Sequence, residues 1–203
     1  MMRLVLASAS PRRADLLRQI ELPFSIEPSP SAEPLPDGQS PDVFAVHSAH
    51  SKARSVFELL RARGMAEETL VIGADTVVCV DDVILGKPAG PEQAEEMLGR
   101  LSGHSHRVYT GMSLISAQGE RSGFEVTEVI MKRLSRGDID AYVASGEPLD
   151  KAGAYGIQGR AGRFIESIAG CYYNVVGLPL ARLCTLLEEM GYDVTAALGR
   201  DKT

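Results

Sequence analysis

Residues 70–80 read Leu-Val-Ile-Gly-Ala-Asp-Thr-Val-Val-Cys-Val, the most apolar and β-branched stretch of the chain, interrupted only around Gly73-Ala74-Asp75-Thr76. It is far shorter than the roughly 20 apolar residues that cross a bilayer. Branched side chains pack well on a pleated surface, so the run is expected to form two buried strand segments, 70–74 and 77–80. Asp81-Asp82 then marks a hairpin turn into Val83-Ile84-Leu85.

Around this run, strand and helix patterns alternate. Residues 4–7 read as a short buried strand and 11–20 as a helix, with Ser10 at the cap and Pro11 at the first helical position, where a missing N–H costs nothing. Pro and Ser make 28–40 a loop long enough to suspect a function. Ser40-Pro41-Asp42 opens a longer helix towards Arg63, and Gly90-Pro91 opens another to Leu101. Segments 107–115 and 124–134 are expected to pair around a polar turn at Gln118-Gly119-Glu120, and Ser135 with Asp138 has the spacing of a capping box for a helix ending near Gly146. After a glycine-dense segment, 147–162, we expect strands at 164–168 and 172–176, a helix at 179–190 and a frayed tail after Val194. This mixture predicts an α/β fold with a mixed sheet. A length of 203 residues without an internal repeat predicts one domain spanning 1–203.

Charge narrows the partners. Asp and Glu number 27 against 21 Lys and Arg, a net charge of -6. At long range that repels nucleic acid and anionic membrane surfaces, so neither is expected as a partner and any phosphate site must be local. Cys79, Cys171 and Cys184 are odd in number and form no C-x-x-C pair, which points to buried thiols in a reducing cytoplasm rather than a zinc cage or disulfides. The opening MMRLVLASASPRR holds too few apolar residues for a signal peptide, so a cytoplasmic location is expected.

Ser8-Ala9-Ser10-Pro11-Arg12-Arg13 places two hydroxyls, the outward amides of a helix start and two guanidiniums at the end of a strand. A phosphate would be well held there; an ordinary helix cap with solvated arginines has the same spelling. Asp75, following an apolar strand, is expected where that strand emerges at a sheet edge or crevice, a usual ligand position in open α/β sheets. There it could hold a divalent ion or activate water, or simply cap its own turn. Lys52 in the second helix and Lys87, set between Gly86 and Pro88, add cations suited to a polyphosphate. In Asp150-Lys151-Ala152-Gly153-Ala154-Tyr155-Gly156-Ile157-Gln158-Gly159 the glycines let backbone approach something closely, and the Gln158 amide can pair with a base edge; the other reading is a tight turn with Tyr155 in the core. His47 with His50, and His104 with His106, lack a third ligand and are read as partly exposed residues without a metal role. The phosphate-binding loop, the dinucleotide fingerprint and the nucleophile elbow are all missing from the sequence, which weakens kinase, dehydrogenase and common hydrolase readings.

SASPRR at 8–13, GADT at 73–76, GKP at 86–88, LSGHSH at 101–106 and DKAGAYGIQG at 150–159, in this order, closely resemble the Maf family over about residues 4–190. The last string looks like the branch acting on dTTP and UTP. The resemblance implies a mixed twisted sheet with flanking helices in two lobes and a central cleft holding the active site, similar to inosine triphosphate pyrophosphatases. It implies hydrolysis of dTTP, UTP and modified uridine triphosphates to the monophosphate and pyrophosphate, by a homodimer. Asp75 would be the proton acceptor; Arg12, Thr76 and Gln158 would bear on substrate choice; Glu33, Lys52 and Lys87 would lie near the phosphates or metal. The cofactor would be Mg²⁺ or Mn²⁺ held by Asp75 and Glu33, with Ser8, Ser10, Arg12 and Arg13 cradling phosphate. One departure matters: where the family has an acidic run, this chain reads Ser29-Pro30-Ser31-Ala32-Glu33, keeping one carboxylate, and a weaker hold on the metal is expected. A second reading, a nucleotide-binding regulator of septum formation, differs in predicting binding without release of pyrophosphate.

Overall fold

In the computed structural model, which describes residues 2–31 and 38–198, the apolar run forms one strand rather than two. This is β3 (Thr69–Val80), buried along its length except at two positions. β1 (Arg3–Leu6) pairs with it in parallel, and β2 (Phe24–Ile26) pairs in parallel with β1. β4 (Val83–Leu85) folds back antiparallel onto the end of β3 through Asp81 and Asp82, whose φ values of 49° and 59° are those of a two-residue hairpin. β5 (Ser105–Ser116), β6 (Gly119–Met131) and β7 (Ile165–Ala169) complete a mixed sheet in the order β2-β1-β3-β5-β6-β7, with β4 attached to β3.

Helices flank the sheet: α1 (Pro11–Gln19), α2 (Pro41–Ala62), α3 (Pro91–Leu101), α4 (Arg136–Ala144), α5 (Tyr172–Val176), α6 (Leu180–Glu189) and α7 (Val194–Leu198). The first three start on proline, as expected, although neither Ser10 nor Ser40 caps its helix with its side chain. α4 carries the full capping box, with Ser135 Oγ accepting from the Asp138 amide at 3.1 Å and Asp138 Oδ2 accepting from the Ser135 amide at 3.2 Å.

Two further expectations fail. Residues 172–176 are helical, not extended: Asn174, fully buried, donates from Nδ2 to the Val108 carbonyl and to Thr127 Oγ1, both at 2.9 Å, and these long-range bonds override the strand preference of Tyr-Tyr-Asn-Val-Val. The segment after Val194 is not frayed as far as Leu198. Asp193 Oδ1 accepts the Ala196 amide at 2.8 Å, and the short helix buries Ala197.

The chain divides into two compact units: Met1–Asp75 with Thr110–Glu125 and Gly177–Thr203, and Thr76–Tyr109 with Val126–Val176. In the first, Val56, Phe57 and Leu60 of α2 pack on Val5 and Val71. In the second, Leu98 and Leu101 of α3 share a core with Val108, Val129, Tyr142 and Phe164. Among the described residues no helix is long and apolar enough to cross a membrane. Cys79 is buried, while Cys171 and Cys184 are half-buried; all three are free thiols.

Candidate active site

Asp75 does not mark the end of its strand. β1 accompanies β3 only as far as Leu6 opposite Ile72, with a last bond from the Ala7 amide to the Ile72 carbonyl at 2.8 Å, and β4 joins from Val78. Residues 73–77 have neither as a partner. Within this stretch Asp75 and Thr76 are the two positions of β3 that are not buried. The expected strand end is therefore a place where the neighbouring strand stops and β3 runs on.

Helix α2 reaches this point because the sheet has no side chains in its way. A Cβ on Gly73 would collide with the Ala49 carbonyl oxygen and stand 2.8 Å from the Ala53 Cβ, and a Cβ on Gly111 would collide with the backbone of Ala45. Ala45, Ala49 and Ala53 lie four apart along one buried face of α2, so helix backbone rests almost directly on strand backbone. Lys52, beside Ala53, therefore meets Asp75: Nζ donates to Oδ1 at 2.6 Å, with the side chains 12% and 16% exposed. Such a charge-assisted bond fixes the carboxylate's orientation.

At the start of α1, Ser8 Oγ accepts from the Ser10 amide and from Arg13 Nη1, each at 3.2 Å, and Arg13 Nε donates to the Gly177 carbonyl at 2.8 Å. The Arg13 guanidinium thus ties the start of α1 to the segment at Gly177. Arg12 is half-buried in the first helical turn. Glu33 lies outside the described residues. Among those described, no three His, Cys, Asp or Glu cluster for a metal ion. Mg²⁺ commonly takes only one or two carboxylates and completes its shell with water and substrate phosphate oxygens; Asp75 is the described carboxylate that would belong to such a set.

In the second unit the Gly153 amide donates to the Gly86 carbonyl at 3.0 Å, tying the segment 150–159 to the loop that presents the exposed Lys87. Gly153 is required twice over: its φ is 66°, and a Cβ would stand 2.8 Å from Val78. Tyr155 is in the core, as one reading had it, and its hydroxyl meets His106 Nε2 at 2.7 Å with the rings edge to face. His106 is therefore not partly exposed: it is 2% exposed, and burial lowers its imidazole to about 4. Gln158 is exposed a few residues on.

Two residues that sequence reasoning passed over hold this segment. Tyr142 Oη donates to Glu147 Oε1 at 3.0 Å and accepts the Gly156 amide at 3.3 Å, while the Arg160 amide donates to both Glu147 oxygens, at 3.0 and 3.2 Å. A faint signal was available, since Glu147 is the only acid between Asp140 and Asp150 and stands where helix gives way to glycine-rich chain. A cavity of about 620 Å³ in the first unit, bordered by His47, Phe124 and Arg182, includes none of the residues expected in the site.

A family model described as Maf-like protein matches residues 3–190. Curated relatives bear the name dTTP/UTP pyrophosphatase. The one from Pelotomaculum thermopropionicum is 47% identical over 96% of this chain and 100% of its own length. That from Symbiobacterium thermophilum is 49% identical over 96% and 97%, and one from Bacillus cereus 44% over 97% and 100%.

Proposed function

Because the chain belongs to the Maf-like family, we propose that it is a nucleoside triphosphate pyrophosphatase converting dTTP and UTP, and modified uridine triphosphates, to the monophosphate and pyrophosphate. Identity of 47% and 49% over nearly the full length to relatives of that name supports the substrate class. The observation that carries the chemistry is the Lys52–Asp75 contact of 2.6 Å at the two half-buried positions of an otherwise buried strand.

In this reading the triphosphate is held by Ser8, Ser10, Arg12 and Arg13 at the start of α1 and by Lys87. Asp75, oriented by Lys52, takes the proton of a water whose oxygen attacks the α-phosphorus; the bond from that phosphorus to its β-bridging oxygen breaks and pyrophosphate departs. Such chemistry is mostly positioning and charge stabilisation, and needs no covalent nucleophile. A divalent cation, Mg²⁺ or Mn²⁺, held by Asp75 and Glu33, would supply further neutralisation of phosphate charge. Thr76 and Gln158 bear on which base is accepted. The same reading extends to a cytoplasmic homodimer with an inosine triphosphate pyrophosphatase-like architecture and the active site in its central cleft.

Asp75→Asn keeps the shape and removes the charge. Turnover of dTTP, followed as dTMP and pyrophosphate together, is expected to fall at least ~100-fold, within the range of a general base. Near-normal turnover would remove Asp75 from the chemistry, and binding with no pyrophosphate release by the unaltered protein would favour a regulator instead.

A further inference from the structure

Between α4 and β7 the chain makes an excursion through short 3-10 turns at Glu147–Asp150, Ala152–Ala154 and Arg160–Phe164, with no strand partner to set its course. Backbone bonds within it, such as that from the Gly159 amide to the Gly156 carbonyl at 3.0 Å, are joined by a set of side-chain bonds. The Glu147 carboxylate at the beginning of the excursion receives the Arg160 amide near its end, closing the loop at the neck. The Tyr142 hydroxyl, on a side chain 2% exposed, stands between Glu147 and the Gly156 amide, giving its proton to the first and receiving one from the second. Lys151 Nζ donates to the Glu147 carbonyl and to Asp150 Oδ1, each at 2.6 Å, and its stem lies close over Gly156. A Cβ on Gly159 would collide with the Glu147 carboxylate and force it aside. Gln158 thus sits between two clasped amides, two residues after Gly156 and two before Arg160.

We propose that Glu147 and Tyr142 are positioning residues for nucleobase recognition, fixing the backbone on both sides of Gln158 so that its amide meets the pyrimidine edge already oriented. An exposed amide on an unpaired loop discriminates poorly, because it bends to suit each partner; a pre-set one leaves the wrong base with unmatched donors and acceptors. The proposal rests on the assignment of Gln158 to the base.

The test measures kcat and KM for dTTP and dCTP in Tyr142→Phe, Glu147→Gln and Gln158→Ala, and in each of the first two combined with the third. Tyr142→Phe and Glu147→Gln are expected to raise KM for dTTP about tenfold with kcat within about threefold, and to narrow the preference over dCTP. In the Gln158→Ala background neither should change the preference further, the non-additivity of residues acting through one another. An unchanged preference in Gln158→Ala alone would sink both the base assignment and the clasp. A shifted preference there, with equal further shifts from Tyr142→Phe or a uniform loss of kcat on both nucleotides, would overturn the clasp and leave the base assignment standing. Should the Glu147 variant fail to fold, Gly159→Ala displaces the carboxylate and is read in the same way.

Discussion

A single missing Cβ at position 73 lets helix α2 lie against β3 beside the Lys52–Asp75 pair. Gly73 lets the Ala49–Ala53 face of α2 rest on β3, and Lys52 of the same helix meets Asp75. Gly73→Ala must push the helix back or distort the strand, and overpacking of this kind costs about 1–3 kcal/mol. We expect a lower urea midpoint and, in the fraction that remains folded, a fall in dTTP turnover as Lys52 withdraws. Loss of stability with undiminished turnover would show that the close approach of α2 serves packing alone. The sequence spelled GADT plainly, yet the reason for its glycine was hidden, because the crowding atoms lie twenty or more residues away in the chain. The same limit concealed Glu147, whose partners Tyr142, Gly159 and Arg160 converge only after the loop has closed.

At the scale of elements, what was legible was what is local. The proline starts of α1, α2 and α3, the capping box of α4 and the Asp81-Asp82 hairpin rest on interactions within a few residues, and all were read from the chain. Where a distant partner decides, the pattern misled: Asn174 draws 172–176 into a helix, and β3 stays extended through Asp75 although one neighbour ends and another begins. Helix α3 offers a contrast to Gly73. Gly99 lies within it, exposed, with nothing inside 4 Å of an added Cβ and no positive φ. Its flexibility therefore costs the helix without serving contact, and Gly99→Ala is expected to raise stability by about 0.5–1 kcal/mol with activity unchanged. A midpoint that falls would mean that α3 is not a continuous helix at that position.

At the scale of the whole molecule, the two units interleave along the chain, the first built from three segments and the second from two, which no local pattern announces. Stability is a property of that assembled state, and one buried group ties it to pH. His106, 2% exposed and held by Tyr155, has its imidazole lowered to about 4, with burial the leading cause. In the unfolded chain the same imidazole takes up a proton below about 6.5. Above that pH neither state carries the proton and His106 imposes no pH dependence. Between about 6.5 and 4 the unfolded state holds a proton that the folded state refuses, so stability falls by about 1.4 kcal/mol per pH unit, about 3 kcal/mol over the window. Other groups titrate in that range, and the difference between two proteins isolates this one. Unfolding free energies of the unaltered protein and of His106→Gln, measured from pH 8 to pH 4, are expected to differ by a constant above 6.5 and to converge or cross as the pH drops, because the glutamine variant lacks the steep acid loss. Parallel curves through the whole range would mean that His106 protonates as readily in the folded protein as outside it, and that the His106–Tyr155 contact is not sealed from water.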